Sequence, residues 1–243
     1  MHKYIDGWYS PSLHKHMNIS VYGHYGFALL MLPTAAADFL EYERFHLINA
    51  ISHPINSGKL KVFSINSINN ESWLNHFMHP RDKSIRHNHF NDYVINEVIP
   101  YIKNKTSYET PIIISGASFG ALHAMNLFLK RPDLFQGVIG MSGDYNLQHY
   151  TKGYFDQDVY FNNPMAYLPN LNDEFLLSQI RKSKNIHIIS GSGSYEKPKA
   201  SRELSELLKS KNINHELAIW GEDMPHDWPT WQRVLPFYIE NRF

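Results

Sequence analysis

The residues best suited to chemistry are Gly116-Ala117-Ser118-Phe119-Gly120, a Gly-x-Ser-x-Gly pentapeptide. A serine hydroxyl is a weak nucleophile at neutral pH; it needs an adjacent base and a backbone that presents it. The flanks supply the presentation. Pro111-Ile112-Ile113-Ile114 is a short β-branched run, and Ala121 to Leu129 reads as helix. Ser118 therefore falls at the tip of a strand–turn–helix, the setting of a nucleophile elbow. The glycines allow a tight turn and keep side chains off the hydroxyl, which predicts a strained, exposed serine. The competing reading is an ordinary serine in a glycine-rich turn, since average composition gives on the order of 0.1 chance matches in a chain of this length.

The base must come from 15 histidines, most of them bystanders. Histidine suits the task because its ordinary pKa lies near 6.5. His226 stands out by position: it follows the last strand-like run, in Gly221-Glu222-Asp223-Met224-Pro225-His226-Asp227-Trp228-Pro229, and precedes the last helix. The bland alternative is a surface histidine at a helix start. Serine hydrolases built on an elbow run Ser, acid, His along the chain, so the acid is sought between them. Glu196 is the first carboxylate after the strand-like Ile186-His187-Ile188-Ile189-Ser190, with Asp144 and Asp223 as rivals. An oxyanion hole needs two backbone N–H groups. One is that of Phe119, just after the serine. The other lies in Pro33-Thr34-Ala35-Ala36; proline has no N–H, which leaves Thr34 or Ala35.

Other histidines carry less. His76-x-x-His79 and His87-x-His89 share one polar stretch but lack a carboxylate-bearing zinc motif, so neither metal nor cofactor is expected. His24 is read as structural. Trp73 is either core or a substrate-facing aromatic.

Elements must bring these residues together. Strand-like runs at His16–Tyr22, Phe27–Leu32, Leu60–Ile65, Phe135–Met141, Ile186–Ser190 and His215–Trp220 alternate with helical stretches at Ala35–Ile51, Asn91–Ile102, Pro198–Lys209 and from about Asp227 onward. Residues 66 to 89 read as a polar excursion and 145 to 180 as an aromatic one with short helices. Alternating strands and helices imply βαβ crossovers, hence an α/β fold with a mostly parallel sheet and helices on both faces. Sites in such sheets form beyond the carboxyl ends of the strands, which is where Ser118, Glu196 and His226 fall.

The 243 residues fit a single domain spanning 1–243. Apolar residues make up 43% and charged residues 19%, within the range of soluble globular proteins. Equal numbers of basic and acidic residues, 23 each, argue against a general nucleic-acid binder and an acidic-lipid partner. With no cysteine, disulfides, cysteine-based zinc sites and a cysteine nucleophile are excluded. No membrane-length apolar run or secretory leader is visible, so a cytoplasmic location is expected. The expected partner is a small-molecule ester; the sequence does not give the oligomeric state.

Taken together, Gly-Ala-Ser118-Phe-Gly, Gly-Ser-Gly-Ser-Tyr-Glu196 and Trp-Gly-Glu-Asp…His226-Asp-Trp-Pro-x-Trp resemble the Putative esterase family of the α/β-hydrolases. That group includes esterase D-like enzymes and relatives of the antigen 85 mycolyltransferases. The resemblance also takes in Tyr-Gly-His24, the Leu-Pro-Thr34 loop and Glu-Ser-Trp73. It implies an α/β-hydrolase fold with Ser118 as nucleophile, His226 as base and Glu196 as acid, and favours Glu196 over Asp144. Two departures stand out: Ser194-Tyr195-Glu196 where many esterases carry an aspartate, and Ala35-Ala36 where more glycine or serine is usual. The implied activity is hydrolysis of a small acyl ester, such as a sugar or metabolite ester. An acyltransferase with the same triad and a non-catalytic binding protein on the same scaffold are the alternatives, because this superfamily hosts all three.

Overall fold

A computed structural model describes all 243 residues. Eight strands form one sheet: β1 (Lys3–Ser10), β2 (Lys15–Tyr22), β3 (Phe27–Leu32), β4 (Leu60–Ile65), β5 (Ile112–Ala117), β6 (Gly137–Met141), β7 (Asn185–Ser190) and β8 (Glu216–Ile219). Their spatial order is β1-β2-β4-β3-β5-β6-β7-β8. β1 and β2 form an antiparallel hairpin, β2 runs antiparallel to β4, and every later pairing is parallel. The continuous apolar runs sit in the middle, as expected for strands covered on both faces. In β3, Ala28, Leu30 and Leu32 pack under the helix that follows Ser118, while Leu29 and Met31 face Tyr42, Leu47 and the last helix. The period-two alternation of a strand thus feeds two cores with one sequence.

Three elements differ from the sequence expectation. β1 is an additional edge strand; alternate residues are exposed along it and Gly7 interrupts it, so its hydrophobic signal is diluted. The stretch Ala35–Ile51 is not one helix. It is a loop followed by short helices at Glu41–Arg44, Leu47–Ala50 and Ser52–Asn56. The helix expected over Asn91–Ile102 begins eleven residues earlier, at Pro80, and runs on to Lys105 through a wider π-turn at Val94–Val98. Pro100 explains the turn: it offers no N–H to the carbonyl one turn back, and the widened turn accommodates the gap. Polar side chains hid the start, where Pro80 takes the first helical position and His79 accepts from the Arg81 N–H at 3.2 Å.

The sheet's strand ends are held in place by close backbone approach at the two elbow glycines. A Cβ on Gly116 would lie 2.3 Å from the Gly120 carbonyl carbon, and one on Gly120 would lie 2.4 Å from the Leu32 carbonyl oxygen. The first contact brings the elbow helix (Phe119–Lys130) onto β5; the second brings the loop after β3 onto that helix. Gly120→Ala is expected to cost about 1–3 kcal/mol and to lower activity with it, because the displaced atoms are backbone. Urea unfolding alongside an esterase assay checks this; unchanged stability and rate would refute the packing account.

Candidate active site

Five strand ends converge. From β3 comes the Thr34–Ala35 loop, from β5 Ser118, from β6 Ser142, from β7 Glu196 and from β8 His226. Ser118 sits at φ 56° and ψ −121°, a conformation that costs a non-glycine residue about 1–3 kcal/mol. Its N–H donates to the Met141 carbonyl at 2.9 Å, which keeps the turn at the sheet's edge and sends the side chain upward.

His226 Nε2 lies 2.9 Å from Ser118 Oγ. On its other side, Nδ1 lies 3.5 Å from Glu196 Oε2. That is an ion-pair separation, long for a hydrogen bond, and Nδ1 has no formed hydrogen bond here. Contacts of this kind tighten when substrate binds. The Glu196 side chain is 1% exposed although its loop is at the surface. Burial alone would raise its pKa, but the facing His226 imidazole and hydrogen bonds from Ser142 and Ser190 outweigh it and hold the carboxyl below its ordinary value of 4.5. Asp144 instead faces Lys197 at 3.4 Å, and Asp223 pairs with Arg233 at 2.9 Å, so neither rival reaches the imidazole.

The glutamate and histidine loops are joined along their backbones. Gly193 N–H donates to the Met224 carbonyl at 3.0 Å and His226 N–H to the Ser194 carbonyl at 2.9 Å. The glycines of Gly-Ser-Gly make this possible, because a Cβ on Gly191 would sit 2.0 Å from the Met224 oxygen. The helix after His226 is capped by its neighbour: the Asp227 carboxylate accepts from the Trp228 N–H at 2.7 Å. The imidazole is therefore free of a capping task.

The two oxyanion candidates on the β3 loop are now distinguishable. Thr34 N–H donates to Glu41 at 2.9 Å, and its hydroxyl to the same carboxylate at 2.6 Å. This corrects the expectation that Thr34 could serve: its N–H is occupied. Ala35 N–H makes no hydrogen bond within the protein, and Ala35 is exposed. Phe119 N–H opens the elbow helix, where no intrahelical carbonyl is available to it.

Sequence reasoning missed three neighbours. Ser142, at φ 53°, donates from Oγ to Glu196 Oε1 at 2.5 Å and accepts from Trp231 Nε1 at 3.0 Å. Ser190 Oγ lies 3.1 Å from Glu196 Oε2. The Ser142-Gly143 pair directly after a strand was the available signal. Ser142→Gly keeps the backbone conformation and removes the hydroxyl. A hydrogen bond to a charged group is worth about 1.5–3 kcal/mol, so kcat should fall by roughly 10- to 100-fold with KM little changed. Steady-state kinetics decides this, and an unaltered kcat would dismiss the role.

A cavity of about 130 Å³ opens on the serine, walled by Phe119, Tyr150, Ser142, Asp144 and Lys197. A larger cavity, about 510 Å³, lies at the opposite end of the sheet, between the amino ends of β3 and β5, and includes His24. Trp73 is buried in the core. His79 caps a helix and His87 is buried against His123.

A strand–turn–helix with a serine at its tip at the end of a central parallel strand, with helices on both faces and a histidine arriving from the last strand, fits the α/β-hydrolase fold. The chain belongs to the family described as Putative esterase, whose model matches residues 62–237, and is accordingly a serine esterase. Solved structures share the fold. A ferulic acid esterase aligns with a TM-score of 0.74 at 17% identity, over 98% of each chain. The S-formylglutathione hydrolase of Staphylococcus aureus aligns with a TM-score of 0.64 at 16% identity, over 99% of this chain and 98% of that one. The fluorophosphonate-binding serine hydrolase F of Staphylococcus aureus aligns with a TM-score of 0.68 at 17% identity, over 98% of this chain and 97% of that one. At these identities the likeness is one of fold. No curated protein matches the chain. No helix is long and apolar enough to cross a membrane.

Proposed function

We propose that this esterase hydrolyses small acyl esters through a Ser118–His226–Glu196 triad. The observation that carries the reading is the 2.9 Å approach of His226 Nε2 to Ser118 Oγ, with a buried carboxylate on the far side of the ring. Ser118 Oγ attacks the acyl carbonyl carbon as its proton passes to His226 Nε2. Glu196 stabilises the imidazolium and fixes the tautomer that leaves Nε2 free to accept. Charge developing on the carbonyl oxygen is met by the N–H groups of Phe119 and Ala35. Collapse expels the alcohol, which takes the proton back from His226. Water then attacks the acyl-enzyme along the same route, and Ser118 is regenerated.

The size of the cavity favours a short acyl group: about 130 Å³ is well below the ~300–1,000 Å³ of a drug-sized site. Sugar and metabolite esters are the class we favour, with the alcohol part lying outside the cavity. Turnover of p-nitrophenyl acetate, butyrate and octanoate tests this directly. Acetate is expected to be turned over best. Preference for octanoate would contradict the acyl assignment, and no turnover of any ester by folded protein would contradict the function. Capture of the acyl group by added alcohols faster than by water would convert the reading to an acyltransferase.

A further inference from the structure

The loop that carries Ala35 has little to hold it. Residues 35 to 37 are three alanines, none of them buried, so packing does not fix which way their peptide groups face. Polar anchors do. Glu41 grips Thr34, and the Thr34 carbonyl accepts from the Gly120 N–H at 3.2 Å, which sets the peptide group preceding Ala35. The peptide group following Ala35 is set from elsewhere: Asn69 Nδ2 donates to the Ala35 carbonyl at 2.7 Å.

Asn69 comes from the turn after β4 and is 1% exposed. Its other side-chain atom, Oδ1, lies 3.0 Å from His123 Nε2. Because Nδ2 is the donor to Ala35, Oδ1 must accept, and His123 must carry its proton on Nε2. His123 lies on the elbow helix, five residues after the nucleophile, and is 4% exposed. Its ring is stacked on His87 at 4.5 Å and lies 4.7 Å from the Phe119 ring. Burial lowers its pKa to about 3, so it is neutral at any pH where an esterase works. Its Nδ1 has no partner, so Asn69 is the only group it bonds. One buried amide therefore spans the nucleophile helix and the loop of the second oxyanion donor.

We propose that Asn69 and His123 are positioning residues: His123 orients the Asn69 amide, and Asn69 holds the Ala35 carbonyl, pinning the loop on the far side of Ala35 while Gly120 holds the peptide group that carries the Ala35 N–H. The proposal rests on the reading of Ala35 as an oxyanion donor. An amide in this role fixes the donor without entering the cleft itself. The loop's lack of side chains makes it dependent on such an anchor.

Three variants test it. Asn69→Asp keeps the acceptor for His123 but sets an oxygen against the Ala35 carbonyl. His123→Phe keeps the packed ring and removes the donor. His123→Gln returns an N–H within reach of Asn69. Losing an oxyanion donor costs roughly 100- to 1,000-fold; mis-aiming one is expected to lower kcat roughly 10- to 100-fold in N69D and H123F. KM should stay within about three-fold, and affinity for a trifluoromethyl ketone, whose adduct carries the oxyanion, should fall in proportion to kcat. H123Q should recover most of the loss. Thermal unfolding identifies any variant that does not fold, and the remaining residue still decides. Rates within two-fold of the parent, a kcat loss without loss of ketone affinity, or H123Q no better than H123F would overturn the proposal. Inactivity of the parent enzyme itself would instead overturn the underlying function.

Discussion

Ser118→Ala is expected to lower kcat by about 10⁵- to 10⁶-fold without unfolding the protein, and His226→Ala to do nearly the same. The double variant should be no worse than either single one, because nucleophile and base act as a unit and their losses do not add. What survives is the residual rate contributed by the oxyanion donors and by binding. Substitution by glycine separates chemistry from strain. At φ 56° and ψ −121° the serine is held in a conformation that glycine adopts freely. Ser118→Gly should therefore be as inactive as the alanine variant yet more stable than the parent, by about 1 kcal/mol. Paired thermal unfolding and kinetics check both halves. A glycine variant less stable than the parent would mean that the elbow is not strained. An alanine variant with more than one-hundredth of the parental rate would mean that another group attacks.

Glu196→Gln should lower kcat about 10⁴-fold. The amide can turn its NH₂ toward His226 Nδ1, which then accepts; the ring's proton moves to Nε2 and the nitrogen facing Ser118 is no longer a base. Fold and substrate binding should be nearly unchanged, because Ser142 keeps Oε1 as its acceptor and Ser190, which loses Oε2, keeps its bond to the Gly191 carbonyl. The same residue links stability to pH. Its folded pKa is held below 4.5, so the unfolded chain binds its proton more readily. The stabilisation from the ionised carboxylate is complete above about pH 4.5 and is lost as pH falls through the lowered folded value. The glutamine variant lacks this contribution, so its stability should decline less steeply in acid. Equal slopes for parent and variant below pH 4.5 would show that the carboxylate is not held as described.

Much of this was legible in the sequence where one physical demand dominates. The central strands β3 to β7 read clearly because burial on both faces requires unbroken apolar runs. The elbow read clearly because its glycines are required by backbone contacts of 2.3–2.4 Å. The candidates Glu196 and His226 were chosen by their places after β7 and β8, and those places do lie on the Ser118 side of the sheet. The edge strand β1 was lost because one of its faces is open and its residues alternate with polar ones. The start of the helix at Pro80 was lost because its first turns are polar, and the false helix over Ala35–Ile51 came from alanines that form the loop after β3 instead. Thr34 and Ala35 could not be told apart, because what separates them is Glu41, a residue whose contact with Thr34 depends on the loop's fold. Ser142, Trp231, Asn69 and His123 were hidden for the same reason: each is tied to the candidate site by a hydrogen bond spanning dozens of residues of sequence, and no local pattern records such a bond.

The central claim is that Ser118, activated by His226, is the nucleophile. Labelling with a fluorophosphonate, followed by intact-mass measurement and peptide mapping, tests it most directly. A single adduct is expected, located on Ser118, formed at a rate strongly reduced in His226→Ala and absent in Ser118→Ala. An adduct on another residue, or an esterase-active protein that labels equally well without Ser118, would contradict the account.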